Sequence, residues 1–413
     1  MKSALRILFT APGYKPAYRI GGPIFSVSAL AEALVRKGQR VTVFATNCNM
    51  SEDLDVPVDC PQWVEGVEVW YFRHREIIKK MFPFFPYFSK SIGFLYAPAM
   101  ANQLNQIVPS MNLVHTHLPF IYPTIAGARA AHLHQKPLFY HQRGVLCPDH
   151  LTYRSFKKKI YLKLIEGPIL KKATSLIALT EYEYESYRKL KVDTQCYIIP
   201  NGIELDEYEG NDKEAIGSEL GLDGDTLVIL FMARLHPMKG IEQLLDAFIK
   251  IQNVILNVSL VVAGPDEYGM LPRWQDKVRS AGLEKRILFP GTLAGKMKNK
   301  ILARADLFCL PSNAEGFSMA IVEALASGTA VMISPGCHFP EVETAGVGKV
   351  VEAKPEAMAE TLIELLRDKK QLEAMGRKGR DFVSQKFSWD TIADDFIEVY
   401  REGIARYAGL KRS

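Results

Sequence analysis

One pattern constrains this chain more than any other: a short apolar run, a loop holding glycine or proline, an amphipathic helix, and then another apolar run, again and again. It begins with "RILFTAP", residues 6–12, which reads as a buried strand ending in a loop. In "GGPIFSVSALAEALVRKG", residues 21–38, Ile24, Val27, Leu30 and Leu34 share one helical face. Pro23 suits the first helical position and Gly38 the stop. "QRVTVFAT" is the next strand, and "LVHTH", "PLFYHQRG" and "SLIALT" continue as short buried strands between helices. Strand–loop–helix–strand units of this kind build a parallel sheet, with loops at the carboxyl ends of the strands.

The register changes at "YIIPNGIELDEYEG", where a Pro-Asn-Gly turn leads into a polar stretch through Asp225. A fresh strand, "TLVILFMARL", then opens a second series: "VSLVVAGP", "RILFPG", "LFCLPS" and "AVMISP", with helices such as "IEQLLDAFIKI" between them. A chain of 413 residues exceeds one typical core, so two domains are expected, with the boundary near 200–210. The fold class is α/β, with two doubly wound Rossmann-like domains. Tandem domains of this type are expected to create a central cleft, with ligands at the carboxyl ends of the strands. The end, "FSWDTIADDFIEVYREGIARYAGL", reads as a long amphipathic helix.

Composition excludes little. The excess of 51 basic over 46 acidic residues is mild and gives no reason to invoke nucleic acid. The bases do cluster in the first half, at Lys157–Lys159, Lys171–Lys172 and Arg188–Lys191, as solvated helix faces or as a surface approaching anionic lipid. The six cysteines show no metal or redox spacing and read as reduced thiols of a cytoplasmic protein. "MKSALRILFTAPGY" does not read as a signal peptide, and no window approaches the ~20 apolar residues of a membrane span.

The loops after the strands are where chemistry is expected. In "LFCLPSNAEGFSMAIVEALASG", Glu315 precedes a helix expected to start near Phe317 or Ser318 and to stop near Gly328. Glu323 lies inside that helix. The unpaired amides of a helix start form an anion site, here flanked by two carboxylates that can accept bonds from vicinal diols. A sugar on one side of a diphosphate and a ribose on the other fit this spacing; two ordinary surface glutamates are the plainer reading. "FMARLHPMKGIEQLLDAF" adds Arg234 and Lys239 beside a second helix start, cations suited to a diphosphate leaving group or to a merely basic loop. Gly21 and Gly22 make a third such start, with a spacing unlike that of dinucleotide-binding loops. His115, His117, His141 and Arg143 follow first-domain strands. The HxH pair raises a metal, but no third ligand is apparent in the sequence, and hydrogen-bonding or catalytic roles are expected instead.

The succession of Gly21-Gly22, HxH, "PNGI", Arg234 with Lys239, "VAGP" and "EGFSMAIVEALASG" resembles the family-four retaining glycosyltransferases of the GT-B fold over nearly the whole chain. "YHQRGVLCP" with its following basic helix is similar to a bacterial exopolysaccharide or O-antigen subgroup. The resemblance implies an acceptor-binding domain at 1–204, a nucleotide-sugar-binding domain at 205–386, and a final helix, 387–413, packing back on the first domain. It implies that Glu315 holds donor-sugar hydroxyls and that Glu323 holds the ribose. The diphosphate would lie on Gly316, Phe317 and Ser318, neutralised by Arg234 and Lys239. Leu293 would read the base with Lys298 nearby, Gly22 would approach the phosphate, and His141 would sit near the reacting sugar. His115, His117 and Arg143 are candidates for the acceptor side.

The expected activity is transfer of a hexosyl unit from a nucleotide diphosphate sugar, UDP favoured over GDP, to a glycan or lipid-linked acceptor in cell-surface polysaccharide biosynthesis. No metal or other cofactor is expected. The aromatic-rich stretch 81–100 reads as core packing or as a lip for a lipid-linked acceptor. With the lysine clusters it suggests peripheral contact with the inner face of the cell membrane. A synthase or phosphorylase on the same fold, a sugar-nucleotide epimerase and a non-enzymatic sugar-binding protein are the alternatives.

Overall fold

The computed structural model describes residues 3–75, 94–151, 159–208 and 226–411. The aromatic stretch beyond residue 80 lies mostly outside these residues, as do Lys157, Lys158 and the polar stretch 209–225. The chain forms two compact units, Met1–Gly202 with Trp389–Ser413, and Ile203–Ser388.

The first unit is built on an eight-stranded sheet. Its strands are β1 (Arg6–Ala11), β2 (Arg40–Thr46), β5 (Pro61–Val64), β6 (Val67–Phe72), β7 (Leu113–His117), β8 (Leu138–His141), β9 (Ser175–Ala178) and β10 (Cys196–Ile198), while β3 (Cys48–Asn49) and β4 (Glu52–Asp53) pair separately. The order is β10-β9-β8-β7-β1-β2-β6-β5. Neighbours run parallel except β5 and β6, an antiparallel hairpin. Its tight turn places Glu65 and Gly66 at positive φ, 50° and 77°, which suits the twist of the strands it joins. The sheet grows outward from β1 through β2 and β6, then crosses to β7 on the other side. The order of connection therefore reverses between β1 and β7, whose carboxyl ends lie side by side.

Helix α1 (Gly22–Arg36) buries Ile24, Val27, Leu30 and Leu34, the face its spacing predicts. A helix at the end of the chain, Trp389–Leu410, belongs to the same core, with Trp389, Phe396 and Tyr400 buried in it and Tyr400 packed edge-on against Phe139 of β8.

The second unit has six parallel strands: β11 (Leu227–Met232), β12 (Val258–Ala263), β13 (Ile287–Gly291), β14 (Leu307–Leu310), β15 (Ala330–Ile333) and β16 (Gly348–Val350). Their order is β13-β12-β11-β14-β15-β16, so this sheet reverses between β11 and β14. Strands β12, β14 and β15 are buried throughout, as expected of a parallel sheet covered on both faces. Among the described residues no helix is long and apolar enough to cross a membrane. All six cysteines are free thiols, four of them buried.

Candidate active site

In the second unit the loops after β11 and β14 meet at the reversal point. The first loop carries Arg234, His236, Lys239 and Gly240, and ends at helix α2 (Ile241–Ile251). His236 caps its own turn, its Nδ1 accepting from the Met238 amide at 3.0 Å. The Asn313 amide donates to the Met238 carbonyl at 2.8 Å and Ser312 Oγ donates to it at 3.3 Å, joining the two loops. Gly240 makes this fit possible. Its φ is +73°, and a Cβ there would lie 2.0 Å from the Pro311 carbonyl oxygen.

These loops bring Lys239 Nζ to 2.5 Å from Glu315 Oε1, with both side chains largely buried. Glu315 is further fixed by its amide, which donates to the Gly336 carbonyl at 2.9 Å. The helix after the loop begins later than the sequence suggests: Ser318 is the N-cap and α4 spans Met319–Ala326, ahead of Gly328 at φ 76°. Ser318 makes no side-chain capping bond, so the first amides of α4 are not satisfied by a cap.

Glu323 sits within α4 and is held by a second lysine. Lys298, on helix α3 (Gly295–Arg304), places its Nζ 2.9 Å from Glu323 Oε1. Tyr208 completes this pair: it hydrogen-bonds Glu323, and Lys298 Nζ stands 5.9 Å from its ring centre. Burial, reinforced by the Glu323 charge, holds the Tyr208 hydroxyl far above its usual range, so it remains a donor. Sequence reasoning did not find Tyr208; its only signal is its position after the Pro-Asn-Gly turn.

The remaining candidates of this unit are less enclosed. Arg234 is exposed and pairs with Glu267 across 3.2 Å, apart from the Lys239–Glu315 pair. Leu293 lies in the loop after β13 and packs partly on the core. Phe317 leans on Phe339 and Phe387, with ring centres 6.3 and 6.0 Å away, which anchors the backbone between Gly316 and Ser318.

In the first unit Gly21, at φ 89°, precedes Gly22 at the start of α1, and a Cβ on Gly22 would meet nothing within 4 Å. His115 and His117 project from one face of β7, and His141 is in register with His117 on β8. The third imidazole that was not apparent in the sequence is therefore His141: ring nitrogens of the three lie within 4.8 Å of one another. All three rings are buried. Burial, with the Arg143 cation adding to it, holds His115 and His141 well below the usual histidine range; for His117 the neighbouring imidazoles contribute too. All three are neutral at pH 7.

His115 Nδ1 lies 2.7 Å from the hydroxyl of Tyr400 on the last helix, here α5 (Trp389–Leu410). That makes His115 an interior group, a poor fit to the acceptor contact suggested by its strand-end position. Arg143 is likewise committed inward, to His117, Ser26 and Asn201.

Two doubly wound α/β units, each with polar chemistry gathered where its strand order reverses, define the class: a GT-B fold. Comparison with known proteins agrees. A family model described as Glycosyltransferase Family 4 matches residues 20–207, and one described as Glycosyl transferases group 1 matches residues 212–382. An uncharacterized glycosyltransferase of Methanocaldococcus jannaschii is 27% identical over 94% of this chain and 95% of its own. A D-inositol 3-phosphate glycosyltransferase of Segniliparus rotundus is 28% identical over 58% of this chain, a match that spans about half, 54%, of that relative. The crystal structure of Anabaena HepE in complex with UDP aligns with a TM-score of 0.73 over 96% of this chain and 100% of its own, at 20% identity, a likeness of fold. The chain belongs to the family-four glycosyltransferases.

Proposed function

We propose that the protein transfers a glycosyl unit from a nucleotide diphosphate sugar, with retention at the anomeric carbon, to a glycan or lipid-linked acceptor. The observation that carries this reading is the pair of lysine–carboxylate contacts on either side of the α4 helix start. A diphosphate placed at those amides competes with Glu315 for Lys239, freeing the carboxylate to accept bonds from sugar hydroxyls. Glu323, steadied by Lys298 and Tyr208, is suited to the two hydroxyls of a ribose. As the glycosidic bond breaks, negative charge grows on the leaving diphosphate. Lys239 and the helix amides stabilise that charge, and Arg234 can swing from Glu267 to join them. This set supplies charge stabilisation without a resident metal. UDP is the favoured nucleotide, consistent with the UDP seen in the Anabaena protein.

A thermal-shift titration with UDP, GDP, ADP and their sugar conjugates, with and without EDTA, tests the donor site. One nucleotide should stabilise the protein selectively, unaffected by EDTA, and the shift should vanish in Glu323→Ala and Arg234→Ala. Absence of a shift at millimolar concentrations of every nucleotide would remove the donor reading.

A membrane-associated acceptor is supported by a second feature. The helical stretch 159–172 exposes Ile160 and Leu164 beside Lys159 and Lys163, with Lys171 and Lys172 at its end. Apolar side chains flanked by lysines suit an anionic lipid surface. Flotation with anionic vesicles should carry the protein upward, and less so for Leu164→Glu; equal flotation with neutral vesicles would argue against it.

A further inference from the structure

Three buried imidazoles within reach of one another invite a metal reading, and Arg143 decides against it. Its Nε donates to His117 Nδ1 at 3.3 Å. A guanidinium has no acceptor, so Nδ1 must offer its lone pair. His117 is neutral, because burial and the surrounding imidazoles and guanidinium disfavour its charged form. A neutral imidazole carries one proton, which is then on Nε2. A protonated Nε2 cannot bind a cation, and Nδ1 is occupied. His115 and His141 alone fall short of the three protein ligands of a catalytic zinc site.

We infer that Arg143 is a positioning residue, which fixes His117 as the Nε2–H tautomer and so makes it a hydrogen-bond donor at the reversal point of the first sheet. Three further observations support this. Arg143 adopts a left-handed backbone, φ 50°, unusual for a residue with a long side chain. Its Nη1 is anchored twice more, to Ser26 Oγ at 2.6 Å on α1 and to Asn201 Oδ1 at 3.0 Å. Burial lowers its pKa only to about 10, so the guanidinium stays charged and donating at neutral pH. His117 Nε2 has no hydrogen-bond partner among the described residues, although it is buried. A buried N–H favours an oxygen acceptor wherever one can reach it. In the structure His117 is fully buried and its neighbours are the equally unpartnered ring nitrogens of His115 and His141, so the fixed tautomer orients this cluster at the carboxyl end of β7. Its role in turnover rests on the transfer reading; the tautomer itself does not.

The test is a long-range proton–nitrogen correlation spectrum of the full chain with ¹⁵N-histidine, the His117 signals assigned by their loss in His117→Gln. The expected result is an Nε2-protonated, Nδ1-unprotonated pattern at pH 7.5. In Arg143→Met that preference should be lost, and kcat for transfer should fall tenfold or more, with the UDP-induced thermal shift unchanged. An Nδ1-protonated His117 in the unsubstituted protein overturns the inference, and that spectrum suffices if Arg143→Met does not fold. An unchanged tautomer and kcat in a folded Arg143→Met also overturns it. Failure of nucleotide to bind at all would instead strike the transfer reading and leave the spectrum to be judged alone.

Discussion

Lys239→Ala should lower kcat/KM for transfer by about 10²–10³-fold, equivalent to about 3–4 kcal/mol of transition-state stabilisation. Lys239 is the most enclosed cation of the second-unit site, and a charge in a desolvated position acts more strongly than one in water. Because leaving-group charge grows as the bond breaks, most of the loss should fall on kcat and less on KM. Lys239→Arg keeps the charge but replaces a point donor with a planar fork that must fit beside Glu315, so it should recover only part of the activity. Steady-state kinetics with the donor varied at saturating acceptor distinguish these cases. A Lys239→Ala enzyme within threefold of the unsubstituted protein would mean that the leaving group is neutralised elsewhere, with Arg234 the next candidate.

Gly240→Ala should be the most destabilising single-methyl addition in that site. The added carbon would meet backbone, Pro311 O at 2.0 Å, which cannot swing aside as a flexible side chain would. Overpacking of this kind costs about 1–3 kcal/mol, and the left-handed backbone adds about 1 more. For a unit of this size that corresponds to a fall in Tm of roughly 5–15 °C. Activity should fall with it, because the strand-end segments that would separate carry Lys239 and Glu315. Gly22→Ala is the contrasting variant: its methyl has open space around it, so its Tm should stay within about 2 °C. Differential scanning calorimetry of the two variants provides the comparison. Equal melting temperatures would show that the contact at Pro311 relaxes freely and does not set the loop geometry.

Much of this arrangement was legible in the sequence, because parallel strands are local apolar runs and helix faces repeat every three or four residues. The α1 face, the breaks at Gly38 and Gly328, and the placement of Glu315 before a helix and Glu323 within it all follow from short-range pattern. The Lys239–Glu315 contact depends on the adjacency of β11 and β14, whose sequences lie far apart. Grouping them needed the strand order, not the strands. The histidine cluster was hidden for the same reason. His141 becomes a neighbour of His117 only once β8 is known to pair with β7 in register. Tyr400 reaches His115 from 285 residues away, which no local periodicity encodes. The β5–β6 hairpin escaped because its edge strand β5 alternates between exposed and partly buried residues, while β6 alternates between buried and partly buried ones at its start, and neither forms one continuous apolar run.

The helix that carries Tyr400 has a consequence for how the protein is made. Translation delivers the first unit's sheet early, yet Trp389, Phe396 and Tyr400, which close one face of its core, leave the ribosome only after the entire second unit. The usual order of co-translational folding, amino-terminal domain first, is therefore inverted at the finish. The second unit can reach its native state as an uninterrupted segment while the first still waits for its last helix. Until synthesis ends, the nascent first unit presents an apolar sheet face and an unpartnered His115, a stage at which chaperone occupancy would matter most.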